Sequence, residues 1–165
     1  MPEGGGYQVR VEKIYFDAGH FATYGGRCEP LHGHTYQVVA EVEGDLTEDS
    51  WVVDFTRLKG ILRQICQEID HRMLLQTKSR ILTIEPSDGY WHVRTPDGAS
   101  YSFPAQDVAD LPIDNTTAER LAEWFSGRVW DALTQRNSSI QSVTVEVWEG
   151  PGQRAAYKRL HLPLA

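Results

Sequence analysis

The sequence predicts an α+β domain: a four-stranded antiparallel sheet with two helices on one face. Two segments near each end of the chain alternate apolar and polar residues, as half-buried strands do. Two central segments space their apolar residues by three and four, as amphipathic helices do. The resulting order is strand, strand, helix, helix, strand, strand, which groups the strands at the two ends.

The first strand pattern runs from Tyr7 to Phe16, with Val9 and Val11 set against Arg10 and Glu12. Residues 19–33 hold four glycines and one proline and read as a long loop. Such a loop inside a domain usually serves function. Tyr36 to Glu43 alternates again. Asp54 caps a helix that begins near Phe55 and reaches about Asp70, with Leu58, Ile61, Leu62, Ile65 and Ile69 on its apolar side. Residues 76–114 form an insertion. In it, Pro96-Asp97-Gly98 is a turn between Trp91–Arg94 and Ser100–Phe103, so a hairpin is expected between the helices. A second helix starts near Thr116, where Thr116-Thr117-Ala118-Glu119 fits a capping box. Its stripe is Leu121, Ala122, Phe125, Val129 and Leu133. Val143, Val145 and Val147 mark a third strand, and residues 155–162 mark a fourth after the turn at Gly150-Pro151-Gly152. The sheet would keep a bare face and two free edges, which a homo-oligomer would cover.

The 165 residues suit one domain over 1–165. Sixteen basic residues against 23 acidic ones give a net charge of -7, which argues against broad nucleic-acid binding but not against a small anion. No stretch approaches the ~20 apolar residues of a membrane span. The Gly-rich start, Met1 to Gly6, is no secretory signal, so a cytoplasmic protein is expected. Two cysteines are too few for a disulfide framework. Cys66 falls in a helical apolar pattern and reads as a core thiol. Cys28 stands four residues before a His-Gly-His.

Three of the six histidines cluster: His20, His32 and His34. Side chains two apart on a strand share a face, so His32 and His34 can point at one ion. His20 ends the neighbouring strand. Three histidines and an open fourth position make a catalytic type of zinc site. A structural site closed by Cys28, or no metal at all, are the alternatives. Asp70-His71 is either an acid/base pair or a solvated helix cap. Glu149 continues the inward parity of Val143, Val145 and Val147; it is either a paired, functional carboxylate or a solvated residue beyond the strand.

These pieces together resemble the 6-pyruvoyl-tetrahydropterin synthase / 6-carboxy-tetrahydropterin synthase family. The matching segments are Phe16-Asp17-Ala18-Gly19-His20, Cys28-x-x-x-His32-Gly33-His34, Val53-Asp54-Phe55-x-x-Leu58-Lys59, Asp70-His71, Thr117-Ala118-Glu119 and Val147-Trp148-Glu149. They occur in family order, with 76–114 outside the match. The resemblance implies the tunnelling fold (T-fold), with subunits joined as a homohexamer of two stacked trimers. It implies zinc on His20, His32 and His34, and acid/base roles for Cys28, Asp70 and His71. It also implies a pterin held by Glu149 with Thr117, Ala118 and Glu119.

The implied substrate is the small molecule 7,8-dihydroneopterin triphosphate, with a Cys28 thiolate favoured by nearby cations. Three residues separate Cys28 from His32, as in the branch that forms 6-carboxy-5,6,7,8-tetrahydropterin and releases acetaldehyde, on the way to queuosine. The biopterin branch, which forms the 6-pyruvoyl product, has five. A third branch cleaves dihydroneopterin for folate, replacing or supplementing the Cys with a Glu near the motif; Glu29 is present but adjacent to Cys28, which is not the spacing of that branch. A zinc-containing pterin-binding module without catalysis, and a zinc hydrolase built on the histidines, are the rivals. The chain departs from the family pattern at Leu75, Arg120 and Gly150.

Overall fold

The structure is a computed structural model that describes residues 6–136 and 139–161. The chain begins with β1 (Tyr7–His20). It passes through a small ladder of β2 (Thr23–Tyr24) and β3 (Arg27–Cys28), and returns as β4 (His32–Gly44). β1 and β4 pair antiparallel from Tyr7 opposite Gly44 to His20 opposite His32, with a register shift between Val11 and Ile14. Both strands run further than their alternation indicates. Gly19 and Gly33 lie within them, so the Gly-rich stretch leaves the sheet only between Phe21 and Leu31. Glycine at 33 follows from close approach: a Cβ there would sit 2.9 Å from the Ala18 carbonyl oxygen.

α1 (Phe55–Ile69) starts where Asp54 accepts a hydrogen bond from the Thr56 N–H at 3.0 Å. Leu58, Leu62, Ile65 and Ile69 are its buried stripe. Five strands follow: β5 (Arg72–Gln76), β6 (Thr83–Ser87), β7 (Tyr90–Arg94), β8 (Ser100–Pro104) and β9 (Val108–Leu111). α2 (Ala118–Thr134) is capped by Thr117, whose side chain accepts from the Arg120 N–H. The expected cap at Thr116 is corrected by one residue: the Thr116 hydroxyl is turned to the Phe21 carbonyl oxygen, and Thr117 caps instead. β10 (Ile140–Gly150) and β11 (Gln153–Leu160) complete the chain; residue 162, placed in the last strand by the sequence, lies outside the described residues.

The main sheet has six strands in the order β11-β10-β4-β1-β5-β9. The expected four antiparallel strands are its β11-β10-β4-β1 part, and the number is corrected to six. β5 joins β1 parallel at Ala18 and Gly19, and β9 joins β5 parallel. Both are short, and β5 is buried from Met73 through Gln76, so no alternation announces them. The expected hairpin is also corrected. The turn at 96–98 does join β7 to β8, with Gly98 at φ +92°, but β6 makes a third antiparallel strand.

Both helices cover one face of the sheet. Val38, Ala40, Val42, Val143, Val145 and Val147 form one core with Leu58, Leu62, Phe125 and Val129. A second cluster, with Phe21, Leu75, Leu82 and Val93, ties the three-stranded sheet to the main one. Elsewhere on the sheet ion pairs form, with Arg10 bonded to Glu146 and Lys158 to Glu43. Among the described residues no helix is long and apolar enough to cross a membrane.

Candidate active site

The β1–β4 register places His20 opposite His32 and Ala18 opposite His34. The two-residue spacing sends His32 and His34 to the same face, and Gly33 lets the strands close up between them. The three rings have centroids 4.7, 5.1 and 4.9 Å apart. One ligand nitrogen from each lies within 4.8 Å of the others.

The backbone fixes the tautomers. His20 Nδ1 lies 3.0 Å from the Thr116 carbonyl oxygen, and His32 Nδ1 lies 2.7 Å from that of Pro30. A carbonyl only accepts, so each Nδ1 carries the proton and each Nε2 keeps its lone pair for a metal. Those two Nε2 atoms are 3.2 Å apart. Two nitrogens bound to one tetrahedral zinc ion would be ~3.3 Å apart at ordinary bond lengths. His34 Nε2 is buried without a hydrogen-bond partner among the described residues. The three residues therefore fit a metal ion. Burial lowers the His20 pKa to about 4, which keeps the ring in its neutral, ligating form near neutrality.

The histidines line a cavity of about 460 Å³ together with Glu29, Thr117, Ala118, Glu119 and Glu149. Thr117 to Glu119 are the start of α2, whose N-terminus favours negative charge. Glu149 extends the parity of Val143, Val145 and Val147, which are fully buried. Substrate-binding residues expected from the sequence and the three histidines thus share one cavity.

Cys28 does not line it. The thiol belongs to a different cavity, with Gly26, Arg27, Pro96 and Asp97, and donates to the Glu29 carbonyl oxygen at 3.3 Å. Burial, then Asp97 and Glu29, push the Cys28 pKa up. The expected lowering by cations is corrected, because carboxylates are the neighbours that act on the thiol. Glu29, one residue on, lines the histidine cavity instead.

Asp70 caps the C-terminal end of α1, and His71 takes a left-handed backbone at φ +56°. That turn lets adjacent side chains meet: His71 Nδ1 lies 2.9 Å from Asp70 Oδ2. The Asp17 N–H donates to Asp70 Oδ1 at 2.8 Å, and the His71 N–H donates to the Asp17 carbonyl. The Asp17 N–H and then His71 hold the Asp70 pKa below its usual value. Thr35 donates to the Asp17 carboxylate. His71, Asp17 and Thr35 line a further cavity of about 600 Å³ that shares His32 and His34 with the first. His71 therefore stands on a second side of the histidine cluster, with Asp70 behind it.

Sequence reading passed over Asp17, Thr116 and Tyr36. Thr116 offered no signal beyond its capping pattern. Tyr36 had one, since it continues the parity of His32 and His34. Of the departures, Leu75 is fully buried in the second core cluster, Arg120 pairs with Asp114 and Glu123, and Gly150 ends β10.

A family model described as 6-pyruvoyl tetrahydropterin synthase matches residues 9–160. The chain belongs to that family. The matched range spans 76–114. Within the family, a putative 6-carboxy-5,6,7,8-tetrahydropterin synthase of Methanocaldococcus jannaschii is 34% identical over 148 residues, covering 88% of this chain and 90% of that protein. A dihydroneopterin monophosphate aldolase of Pyrococcus furiosus is 27% identical over 140 residues, covering 85% and 88%. The crystal structure of 6-pyruvoyl tetrahydropterin synthase from Plasmodium vivax gives a TM-score of 0.88 at 28% identity, covering 96% of this chain and 100% of that one. Two mutant structures of that enzyme replace a glutamate described as a catalytic residue.

Proposed function

We propose that the chain is a zinc-dependent lyase. It converts 7,8-dihydroneopterin triphosphate and one water to 6-carboxy-5,6,7,8-tetrahydropterin, releasing acetaldehyde and triphosphate. The observation that carries this reading is the single cavity that gathers three metal-ready histidines, the start of α2 and Glu149. Similarity to 6-carboxy-5,6,7,8-tetrahydropterin synthases supports the choice of product.

His20, His32 and His34 hold zinc, which when bound polarises the side-chain oxygens of the substrate and favours negative charge on them. Glu149 accepts two parallel N–H bonds from the guanidine-like edge of the pterin. Thr117, Ala118 and Glu119 flank the ring. His71 gives or takes a proton, and Asp70 stabilises its charged form. Cys28 completes the acid/base set in this reading, with Asp70 and His71 contributed by a neighbouring subunit of a cytoplasmic homohexamer.

One observation favours a second reading. Glu29 lines the histidine cavity and Cys28 does not. A carboxylate base there suits cleavage of the dihydroneopterin side chain, the activity named for the Pyrococcus furiosus relative. Turnover by zinc-loaded Cys28→Ala and Glu29→Gln separates the two. Loss of about a hundredfold or more in Cys28→Ala supports the first reading. The same loss confined to Glu29→Gln supports the second. Full activity in both variants overturns both assignments of the base.

A further inference from the structure

Asn115 lies just before α2 and is half-buried. Its side chain meets the backbone of Thr23 through both polar groups. The Thr23 N–H donates to Asn115 Oδ1 at 2.9 Å, and Asn115 Nδ2 donates to the Thr23 carbonyl oxygen at 2.8 Å. Asn115 Oδ1 also accepts from the Thr116 N–H at 3.0 Å. A carboxamide offers an acceptor and a donor side by side, so it pairs with Thr23 much as a neighbouring strand would.

The segment held in this way carries both candidate bases, Cys28 and Glu29. β2 and β3 have two residues each, and Gly25 and Gly26 turn between them with nothing within 4 Å of where a Cβ would stand. So short a ladder is marginal on its own. Thr23 pairs with Cys28 across it, and the Glu29 N–H donates to the Ala22 carbonyl oxygen at 2.9 Å. The placement of Cys28 and Glu29 therefore follows from that of Thr23, and Asn115 holds Thr23. The next two residues serve the histidine cavity directly: the Thr116 carbonyl orients His20, and Thr117 lines the cavity. Asn115 thus ties the base-bearing hairpin to the short segment that fixes a metal-ready histidine.

We propose that Asn115 is a positioning residue, which sets the base on the hairpin, Cys28 or Glu29, against the histidine cavity. It does not line that cavity itself. A reacting group misplaced by about 1 Å can cost about a hundredfold in rate. Zinc and the pterin ring are held by other groups, the three histidines, Glu149 and the start of α2. The loss therefore falls on kcat and spares binding. This deepens the lyase reading and rests on it for the role of the base.

The test compares the zinc-loaded natural protein with Asn115→Ala and Asn115→Asp. The aspartate keeps both accepted bonds and loses the donated one, so it reads the contact even where the alanine variant does not fold. Turnover of 7,8-dihydroneopterin triphosphate, the Kd for neopterin, zinc content and hydrogen exchange of the Thr23 and Glu29 amides are measured on each. For Asn115→Ala the expected result is a kcat lower by about tenfold or more, faster exchange at both amides, and zinc and Kd as in the natural protein. Asn115→Asp should fall between the two. An unchanged kcat in both variants would overturn the inference, and so would unchanged exchange at Glu29. A fall in zinc content or neopterin affinity that matches the fall in kcat would also overturn it, because Asn115 would then support the whole cavity. Failure of the natural protein to turn over the triphosphate would overturn the lyase reading, and exchange at Glu29 would then decide by itself whether Asn115 holds the hairpin.

Discussion

The Nε2 atoms of His20 and His32 lie 3.2 Å apart, although the residues are twelve positions apart in the chain. The pair exists because the last residue of β1 is set opposite the first residue of β4. Each ring is turned by a backbone carbonyl on its other nitrogen. Metal geometry is thus built into the strand register and prepared before any ion arrives.

That register depends on Gly33. Gly33→Ala would put a Cβ 2.9 Å from the Ala18 carbonyl oxygen and force the two strands apart. Zinc content measured by elemental analysis should fall well below one per chain in this variant. It should be lost in His32→Ala. Full occupancy in His32→Ala would refute the ligand assignment.

Glu149→Ala should weaken pterin binding by about ten- to a hundredfold, the worth of a charge-assisted pair of hydrogen bonds. Zinc should stay bound, because the histidines are held by other groups. Calorimetric titration with neopterin measures the change. An unaltered affinity would make Glu149 a surface residue.

His20 sets a pH dependence for the metal-free protein. Its pKa is about 4 in the fold against an ordinary value of 6.5. Between those values the unfolded chain takes up a proton that the folded chain refuses. The His20 contribution to stability is therefore complete above about pH 6.5 and is lost as pH falls toward 4. Denaturant midpoints should drop between pH 7 and pH 5, above the range where most carboxylates titrate. A flat profile there would contradict the buried, neutral state of His20.

Leu75→Ala should destabilise the protein by about 2–5 kcal/mol in denaturant unfolding. Leu75 is fully buried in the cluster that also holds Phe21 and Val93. Phe21 directly follows His20, so this packing also supports the histidine cluster. A loss too small to measure would mean that 76–114 is a detachable appendage.

The sequence shows some of these features because they follow a period. β1, β4, β10 and the two helices announce themselves through alternation or helical spacing, and Glu149 is found by extending one alternation. β5 and β9 are not, since β5 is buried from Met73 through Gln76 and β9 is only four residues long, too short to show an alternation. The choice between Cys28 and Glu29 was closed to sequence for a related reason. β3 has two residues, too few to say which neighbour faces the histidines, and Gly25 and Gly26 turn the chain through positive φ just before it. Asp17 reaches Asp70 through its own backbone N–H, a contact that side-chain chemistry does not reveal.

The most direct measurement is incubation of the zinc-loaded protein with 7,8-dihydroneopterin triphosphate, with pterin products and acetaldehyde identified by mass. The expected result is 6-carboxy-5,6,7,8-tetrahydropterin with an equal amount of acetaldehyde, lost on chelation and restored by zinc. A pyruvoyl product without acetaldehyde, a shortened pterin, or no turnover at all would contradict the proposed reaction.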